Sequence, residues 1–484
     1  MYILENLEPK KVFRFFEEIS RIPRGSGNEK EASDYLVKFA KDRGFEVIQD
    51  KAYNVIIKKP GTKGYENSPT VILQGHIDIV CEKNQDTVHD FEKDPIKLII
   101  DGGFIKADGT TLGADNANAI AIAMGILDSD DIPHPPIEAL FTSEEEIGLN
   151  GAKVVDASKL SGTRLINLDV GPEGHFFAGC AGGMYTTIIV PAEFEAPEAG
   201  SQAFELKIRN LKGGHSGALI HAELGNSNKL LGRALEQIAA ETGIQIASVS
   251  GGSKVNAIPR EADALICIQE NKAEQVKKLV KDLAAVYKNE LRISDPDVTL
   301  ILDDAKMPEK VYSSKTAESV LNAYLLIPSG MIAKSLDIEG LTETSTNMGV
   351  VVSTGSEIQF KNSTRSSVKT RKNYVGRQMK ALASLLGAAI EFGGEYPAWE
   401  FNANSHLRDI VIKTYEDMFG EKAIITATHG GLECGIFAEK MPGLDIVAFG
   451  PTAYGAHTPE ERLSISSMER TWELVKKILE NLKD

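Results

Sequence analysis

Apolar residues recur at helical spacing from Lys10 to Ser20. A second helix is predicted from a cap at Asn28 through about Asp42, closed by Gly44. The pattern then changes to short β-rich runs, FEVIQ (45–49), YNVIIKK (53–59) and TVILQG (70–75). The last is almost wholly apolar, as befits a strand covered on both faces. IEALFT (137–142) and RLINLD (164–169) have the same character, and the alanine-rich stretch Asn116 to Leu127 predicts a helix between them. Buried-type strands alternating with helices predict an α/β fold with a mostly parallel sheet.

Past Cys180 the texture becomes strand-rich and amphipathic. Strands are predicted at 204–211, 244–250, 262–269 and 297–302, with helices at 227–241 and 273–292. The pattern resumes at Thr316 to Leu326, Gly349 to Ser353 and Glu357 to Lys361, and ends in a long helix from Asn373 to Phe392. This is an α+β arrangement, read as an internally doubled β-α-β unit although no clean sequence repeat accompanies it. After the breaks at Gly393-Gly394 and Pro397-Ala398-Trp399, strands of buried type return at AIIT (423–426) and DIVAFG (445–450). The simplest organisation is one α/β domain, residues 1–186 plus 400–484, interrupted by an inserted α+β domain, residues 187–399.

Charge removes several classes of function. The 484 residues carry 53 Lys and Arg against 69 Asp and Glu, a formal charge of −16. Nucleic-acid binding needs a basic face, and so does adhesion to an anionic membrane, so neither is expected. No apolar stretch approaches the roughly 20 residues that span a bilayer, and the first residues hold no signal-peptide core. Four cysteines without a CxxC pair read as reduced thiols. The expectation is a soluble cytoplasmic protein.

Candidate chemistry lies where the apolar runs end. TVILQG leads into His76-Ile77-Asp78, IEALFT into Ser143 and Glu144-Glu145-Glu146, RLINLD ends at Asp169, and DIVAFG leads towards His457. In open α/β sheets ligands collect at the carboxyl ends of strands. Asp115 adds a carboxylate before the alanine-rich helix, where it also reads as a helix cap. Alone, each feature has a plain structural reading. Together they assemble imidazole and carboxylate donors suited to a divalent metal, with a carboxylate available to bridge two ions.

The stretches QGHIDIV (74–80), DTVHDFEKDPI (86–96), GTTLGADN (109–116), EEIG (145–148), GCAGG (179–183), LKGGHSG (211–217), NAIPREA (256–262), GLECGIF (431–437) and GPTAYGAHTPEE (450–461) carry a resemblance covering nearly the whole chain. The sequence resembles the cytosolic aminoacyl-histidine dipeptidases, the bacterial carnosinase-like branch of the co-catalytic zinc aminoacylase and carboxypeptidase superfamily. That resemblance implies a zinc-peptidase catalytic domain with an inserted lid and dimerisation domain, a homodimer joined through the lid, and a small dipeptide as substrate. It implies two divalent ions, zinc first, with manganese or cobalt able to take the same ligands. His76 and Asp169 would hold one ion, Glu146 and His457 the other, and Asp115 both. Asp78 would orient His76, and Glu145 would be the general base. His215 would steady the oxyanion, from its own chain or a neighbouring subunit.

Arg365 is the candidate fork for the substrate carboxylate, with a surface role as the alternative. Asn256 is read as a substrate contact or a turn residue, and Glu433 as a partner for the substrate amine. The other histidines and the cysteines receive no role. One departure stands out, Asn116-Ala117-Asn118-Ala119, where the family often places glycine after the bridging Asp. The implied activity is hydrolysis of unsubstituted dipeptides of aminoacyl-histidine type. The rivals are an N-acyl amino acid deacylase or carboxypeptidase with the same metals, and a non-catalytic metal-bound scaffold.

Overall fold

The computed structural model describes residues 2–483. The chain forms two compact units. The first comprises Met1–Cys180, Trp399–Ala427 and Leu432–Asp484, and the second Ala181–Ala398 and Thr428–Gly431. The sequence reading drew the boundaries at 186/187 and 399/400; it did not anticipate that the short segment 428–431 returns to the inserted unit.

In the first unit an eight-stranded sheet runs in the order Glu46–Gln49, Val55–Lys59, Ile137–Thr142, Val71–His76, Arg164–Asn167, Asp445–Ala448, His175–Cys180, Ile424–Thr428. The four middle strands are parallel and their neighbours on either side antiparallel. Val71–His76, Ile137–Thr142 and Arg164–Asn167 are buried along their whole lengths, which explains their unbroken apolar sequences. Helix Ala114–Leu127 is apolar on all sides because it is covered on all sides, packing on Val71–His76 and on helix Lys10–Ser20. Its small residues allow a close approach. A Cβ at Gly75 would lie 2.2 Å from that of Ala119, so the strand must carry glycine just before His76. A separate four-stranded sheet, Ala453–Tyr454, Arg462–Ser464, Phe104–Ala107 and Leu98–Asp101, holds both ends of the loop that bears His457.

The second unit is built on a nine-stranded sheet whose pairings are antiparallel. It contains two β-α-β-β-α-β copies. One is Ser201–Arg209, Ser227–Thr242, Gln245–Gly251, Ala262–Gln269, Ala273–Glu290 and Thr299–Asp304. The other is Gly182–Pro191, Ser314–Leu326, Thr342–Ser353, Glu357–Ser366, Lys369–Leu385 and Ala389–Tyr396. Numbered within each copy, the strand order is 4-1-3-2 followed by 2-3-1-4, with the second strands paired at the junction. The first copy is inserted in sequence between the first strand and first helix of the other. This interruption breaks up the repeat in the sequence.

Three local expectations are corrected. Asn28 does not cap the second helix, Lys30–Asp42; Glu29 precedes it, and its carboxylate instead accepts from the N–H groups of Gly27 and Glu144. The helix expected over Asn373 to Phe392 is Lys369–Leu385, followed by strand Ala389–Tyr396. Gly387 adopts φ 64° and the Ala388 N–H closes back onto the Ala383 carbonyl, ending the helix. AIIT is not a buried strand: Ile424 and Ile425 are exposed, because their strand lies at the edge of the sheet.

Candidate metal centre

His76 is the last residue of its strand, and its register partner is Thr142 on the adjacent parallel strand. Beyond Thr142 the chain turns sharply, with Glu144 at φ 47°, and sets Glu145 and Glu146 on consecutive positions of the turn. Asp78 organises both strand ends. Its Oδ1 accepts from the Glu145 N–H at 3.0 Å and its Oδ2 from the Glu146 N–H at 3.2 Å and Ser26 Oγ at 2.8 Å. His76 Nδ1 lies 3.4 Å from Asp78 Oδ1, which fixes the ring with Nε2 towards the other carboxylates. Burial pushes the Asp78 carboxyl up, but His76, Ser26 and the Glu145 N–H outweigh it and hold the group below the ordinary range.

Asp115 lies between two imidazoles. Its Oδ1 is 2.9 Å from His76 Nε2 and its Oδ2 3.3 Å from His457 Nε2. His76 Nε2 is also 3.2 Å from Asp169 Oδ1, and His457 Nε2 is 3.0 Å from Glu146 Oε1. These contacts divide the five residues into two groups that share one carboxylate.

The arrangement is rich in negative charge. His76 is held well above the usual imidazole range: burial opposes its charge, but Asp169, Asp115 and Asp78 overcome that. Hydrogen bonds donated to Asp115 and Glu146 raise His457 to about 10. Burial raises Asp169 to about 6. The donor set therefore fits divalent cations. His76, Asp115 and Glu146 can each offer an atom within 4.8 Å of the others.

Asp115 does not cap its helix in the way its sequence position suggests. Gly113 holds the cap position at φ 70°, and Asp115 and Asn116 are non-helical, joined by a cis peptide. Asn116 supplies the cap, its Oδ1 accepting from the Ala119 N–H at 3.0 Å while its amide donates to Asp169. Two residues to which the sequence reading gave no role hold this loop in place. The Glu461 carboxylate accepts from four successive N–H groups, those of Leu112, Gly113, Ala114 and Asp115. Buried Arg24 donates to the carbonyls of Ile77 and Gly113 at 2.7 Å, tying the end of the His76 strand to the loop before Asp115.

Glu145 is half-buried, and no hydrogen bond among the described residues holds its carboxylate. Burial places it well above its usual range, with His76 opposing and Asp169, Glu433 and Glu146 adding to the shift. Glu433 is fully buried. Its Oε2 accepts from Gln74 at 2.6 Å and Thr142 at 2.7 Å, while Oε1 has no partner. Burial lifts it to about 7.

The other candidates belong to the second unit. Arg365, nearly buried, donates from Nη1 to Tyr396 Oη at 2.8 Å, and its Nη2 lies 3.5 Å from His215 Nε2. Arg365 is therefore not the surface residue of the alternative reading. His215 Nδ1 accepts from the Ala218 N–H at 3.2 Å, so the proton of the neutral ring is on Nε2, facing the guanidinium. Two donors point at each other, and Arg365 Nε is also without a partner.

The sheet register explains this grouping. Arg365 pairs with Ser345 on one side and Gly183 on the other, and Gly183 pairs with Tyr396, whose ring covers the space left by the missing side chain. His429 joins from the returning segment, bonded to Ser345 Oγ at 2.7 Å; burial and the nearby Arg365 lower it to about 3. The Asn256 backbone carbonyl accepts from the Ser216 N–H at 2.8 Å, and the next residue, Ala257, pairs with His215. Asn256 thus lies beside His215, with no hydrogen bond from its side chain among the described residues.

Residues 72–481 match the peptidase family M20/M25/M40. The chain is 39% identical over 479 residues to the cytosol non-specific dipeptidase of Escherichia coli (strain K12), covering 99% of each. The solved aminoacylhistidine dipeptidase from Vibrio alginolyticus superposes with a TM-score of 0.94 at 37% identity, over 99% of this chain and 98% of that one. Aminopeptidase PepT from Bacillus cereus shares the fold, with a TM-score of 0.58 at 18% identity, over 99% of this chain and 100% of that one. The chain belongs to peptidase family M20/M25/M40. It is a metal-dependent hydrolase of peptide bonds. Among the described residues no helix is long and apolar enough to cross a membrane.

Proposed function

We propose that the protein hydrolyses unblocked dipeptides, aminoacyl-histidine dipeptides such as β-alanyl-histidine among them. The observation that carries the reading is Asp115 set between two imidazole-carboxylate groups, with Glu145 beside them as a carboxylate not needed for holding metal. The whole-length similarity to a cytosol non-specific dipeptidase and an aminoacylhistidine dipeptidase supports it.

In this reading His76 and Asp169 hold one divalent ion, Glu146 and His457 a second, and Asp115 both, zinc being the first candidate and manganese and cobalt the alternatives. When bound, the ions lower the pKa of water and polarise the scissile carbonyl. Asp78 keeps the His76 ring oriented and the Glu145–Glu146 turn in place. Glu145 accepts a proton from the attacking water and delivers it to the leaving nitrogen; its environment, which favours the protonated carboxyl, suits the second half of that task. His215, with its donor at Nε2, serves the developing oxyanion. Arg365 serves the substrate's carboxylate, the acceptor that the two facing donors lack. Asn256 beside His215 contacts the substrate backbone.

A cytosolic setting and a homodimer through the inserted unit belong to the same reading. Strand Ala389–Tyr396, an exposed sheet edge carrying exposed Phe392, supports the dimer. The test of function compares a free dipeptide with its C-terminal amide on the metal-loaded enzyme. The dipeptide should be cleaved and the amide should lose at least about tenfold in kcat/KM, as expected for a missing charged hydrogen-bond partner. Equal rates would remove the carboxylate-recognising dipeptidase and leave a less selective peptidase.

A further inference from the structure

Tyr396 received no role from the sequence, yet the sheet of the inserted unit brings it to Arg365. Gly183 pairs with Arg365 on one side and with Tyr396 on the other. Two strands that flank a third stand about 10 Å apart, and side chains meet across that distance only when nothing rises between them. Here they meet over the glycine, Tyr396 Oη accepting from Arg365 Nη1 at 2.8 Å.

The tyrosine ring is held at both edges. A Cβ at Gly183 would lie 2.2 Å from its Cε1 and one at Gly431 2.8 Å from its Cε2, the two carbons that flank the hydroxyl-bearing atom. A larger residue at either position would displace the ring. The strand is also bulged at this point. Gly393 pairs with Tyr185 but Tyr396 with Gly183, so one strand advances three residues against two on its neighbour. Buried Lys372 ties the bulge down, its Nζ donating to the carbonyls of Tyr396 at 2.9 Å and Gly183 at 3.3 Å. Burying an ammonium is costly unless it is bonded, and this one bonds the backbone of the two residues whose contact places the hydroxyl.

What Tyr396 offers Arg365 is an acceptor without a charge. A carboxylate in its place would pair with the guanidinium and compete with any anion that came to it. Among the described residues no carboxylate bonds to Arg365. The hydroxyl restrains Nη1 and leaves the positive charge uncancelled, with Nη2 facing His215 Nε2. We propose that Tyr396 is a positioning residue for substrate selection, its hydroxyl fixing the Arg365 guanidinium and, through it, the preference for a free carboxyl terminus. The inference rests on the proposed role of Arg365 and adds to it the group that sets its orientation. Tyr396 acts through Arg365 and takes no part in proton transfer.

The test measures kcat and KM of the metal-loaded enzyme on β-alanyl-histidine and on its C-terminal amide. Wild type, Y396F, R365A and the double variant are compared, each checked for metal content and Tm. Y396F keeps the ring between the two glycines and removes only the acceptor. It should raise KM for the free dipeptide about 3- to 30-fold at little-changed kcat. Its kcat/KM for the amide should stay within about threefold of wild type, because that substrate has no carboxylate for Arg365 to hold. Added to R365A, Y396F should cost less than about twofold more, since the group it acts on is gone. An unchanged KM for the free dipeptide in Y396F overturns the proposal. So does an equal loss on acid and amide, or a fully additive loss in the double variant, either of which would mark Tyr396 as merely structural. A wild-type enzyme that cleaves acid and amide equally overturns the reading of Arg365 itself, and the proposal with it, before any variant is compared.

Discussion

On the proposed reading Glu145 and Glu146 are neighbours with different tasks, and the turn that presents them is consistent with it. Asp78 grips both N–H groups, while the Glu146 carboxylate meets His457 and the Glu145 carboxylate is held by no hydrogen bond among the described residues. E145Q should keep metal content at the wild-type value and lower kcat by about 10²- to 10⁴-fold, the usual cost of a lost acid–base group. D115A should do the reverse and lower metal content itself, since both imidazoles face that one carboxylate. Metal analysis and turnover on the same preparations check both, and wild-type turnover in E145Q would remove Glu145 as the base.

Glu433 makes a different prediction. Its carboxyl rises from 4.5 to about 7 on burial, so between those values the folded chain binds more protons than the unfolded one. Stability from this group is full below about 4.5 and is lost as pH rises through about 7. In the metal-free protein, E433Q should shrink the fall in Tm between pH 5 and pH 8; an unchanged fall would mean that Glu433 ionises freely in the fold. At this scale the sequence revealed the residues at the ends of apolar runs through their joint occurrence, since each of them alone has a plain structural reading. Arg24 and Glu461 were not legible as parts of the site, because they act on backbone groups that only the folded loop brings to them.

Elements bring these residues together. Parallel strands with uninterrupted apolar sequences end on one rim, and their ends carry His76, the Glu145–Glu146 turn and Asp169. The loop before helix Ala114–Leu127 has no such frame and depends on Glu461 for four of its N–H groups. E461A should therefore lower Tm and weaken metal retention during dialysis, although the residue is no ligand. Losing charged hydrogen bonds of this kind costs about 1.5–3 kcal/mol each when counted singly, and less in sum. Wild-type metal retention in E461A would show that the loop holds its shape unaided.

Element type and place were legible where burial covers a whole strand, as in Ile137–Thr142, and where buried positions alternate, as at the start of Ala262–Gln269; the observed limits of both match the sequence pattern. They were not legible where context decides. Ile424 and Ile425 look like core residues and lie on an edge strand, and residues 389–392 continue a helical pattern that Gly387 has already ended.

At the scale of the molecule, two units divide the chemistry. One gathers carboxylates and imidazoles, the other a guanidinium and an imidazole whose donors face each other unmatched. The doubling within the inserted unit was visible in the sequence only as alternating strands and helices, because one copy interrupts the other. The proposed reading is a metal-dependent enzyme for short peptides with both ends free. The most direct measurement follows hydrolysis of β-alanyl-histidine and of its N-acetylated form on one metal-reconstituted sample, with bound metal determined on that sample. The account predicts two metal equivalents per chain, cleavage of the free dipeptide only, and loss of that activity with chelator. Preference for the acetylated substrate would contradict it and place the protein with the deacylases, and bound metal with neither substrate cleaved would contradict it in favour of a scaffold.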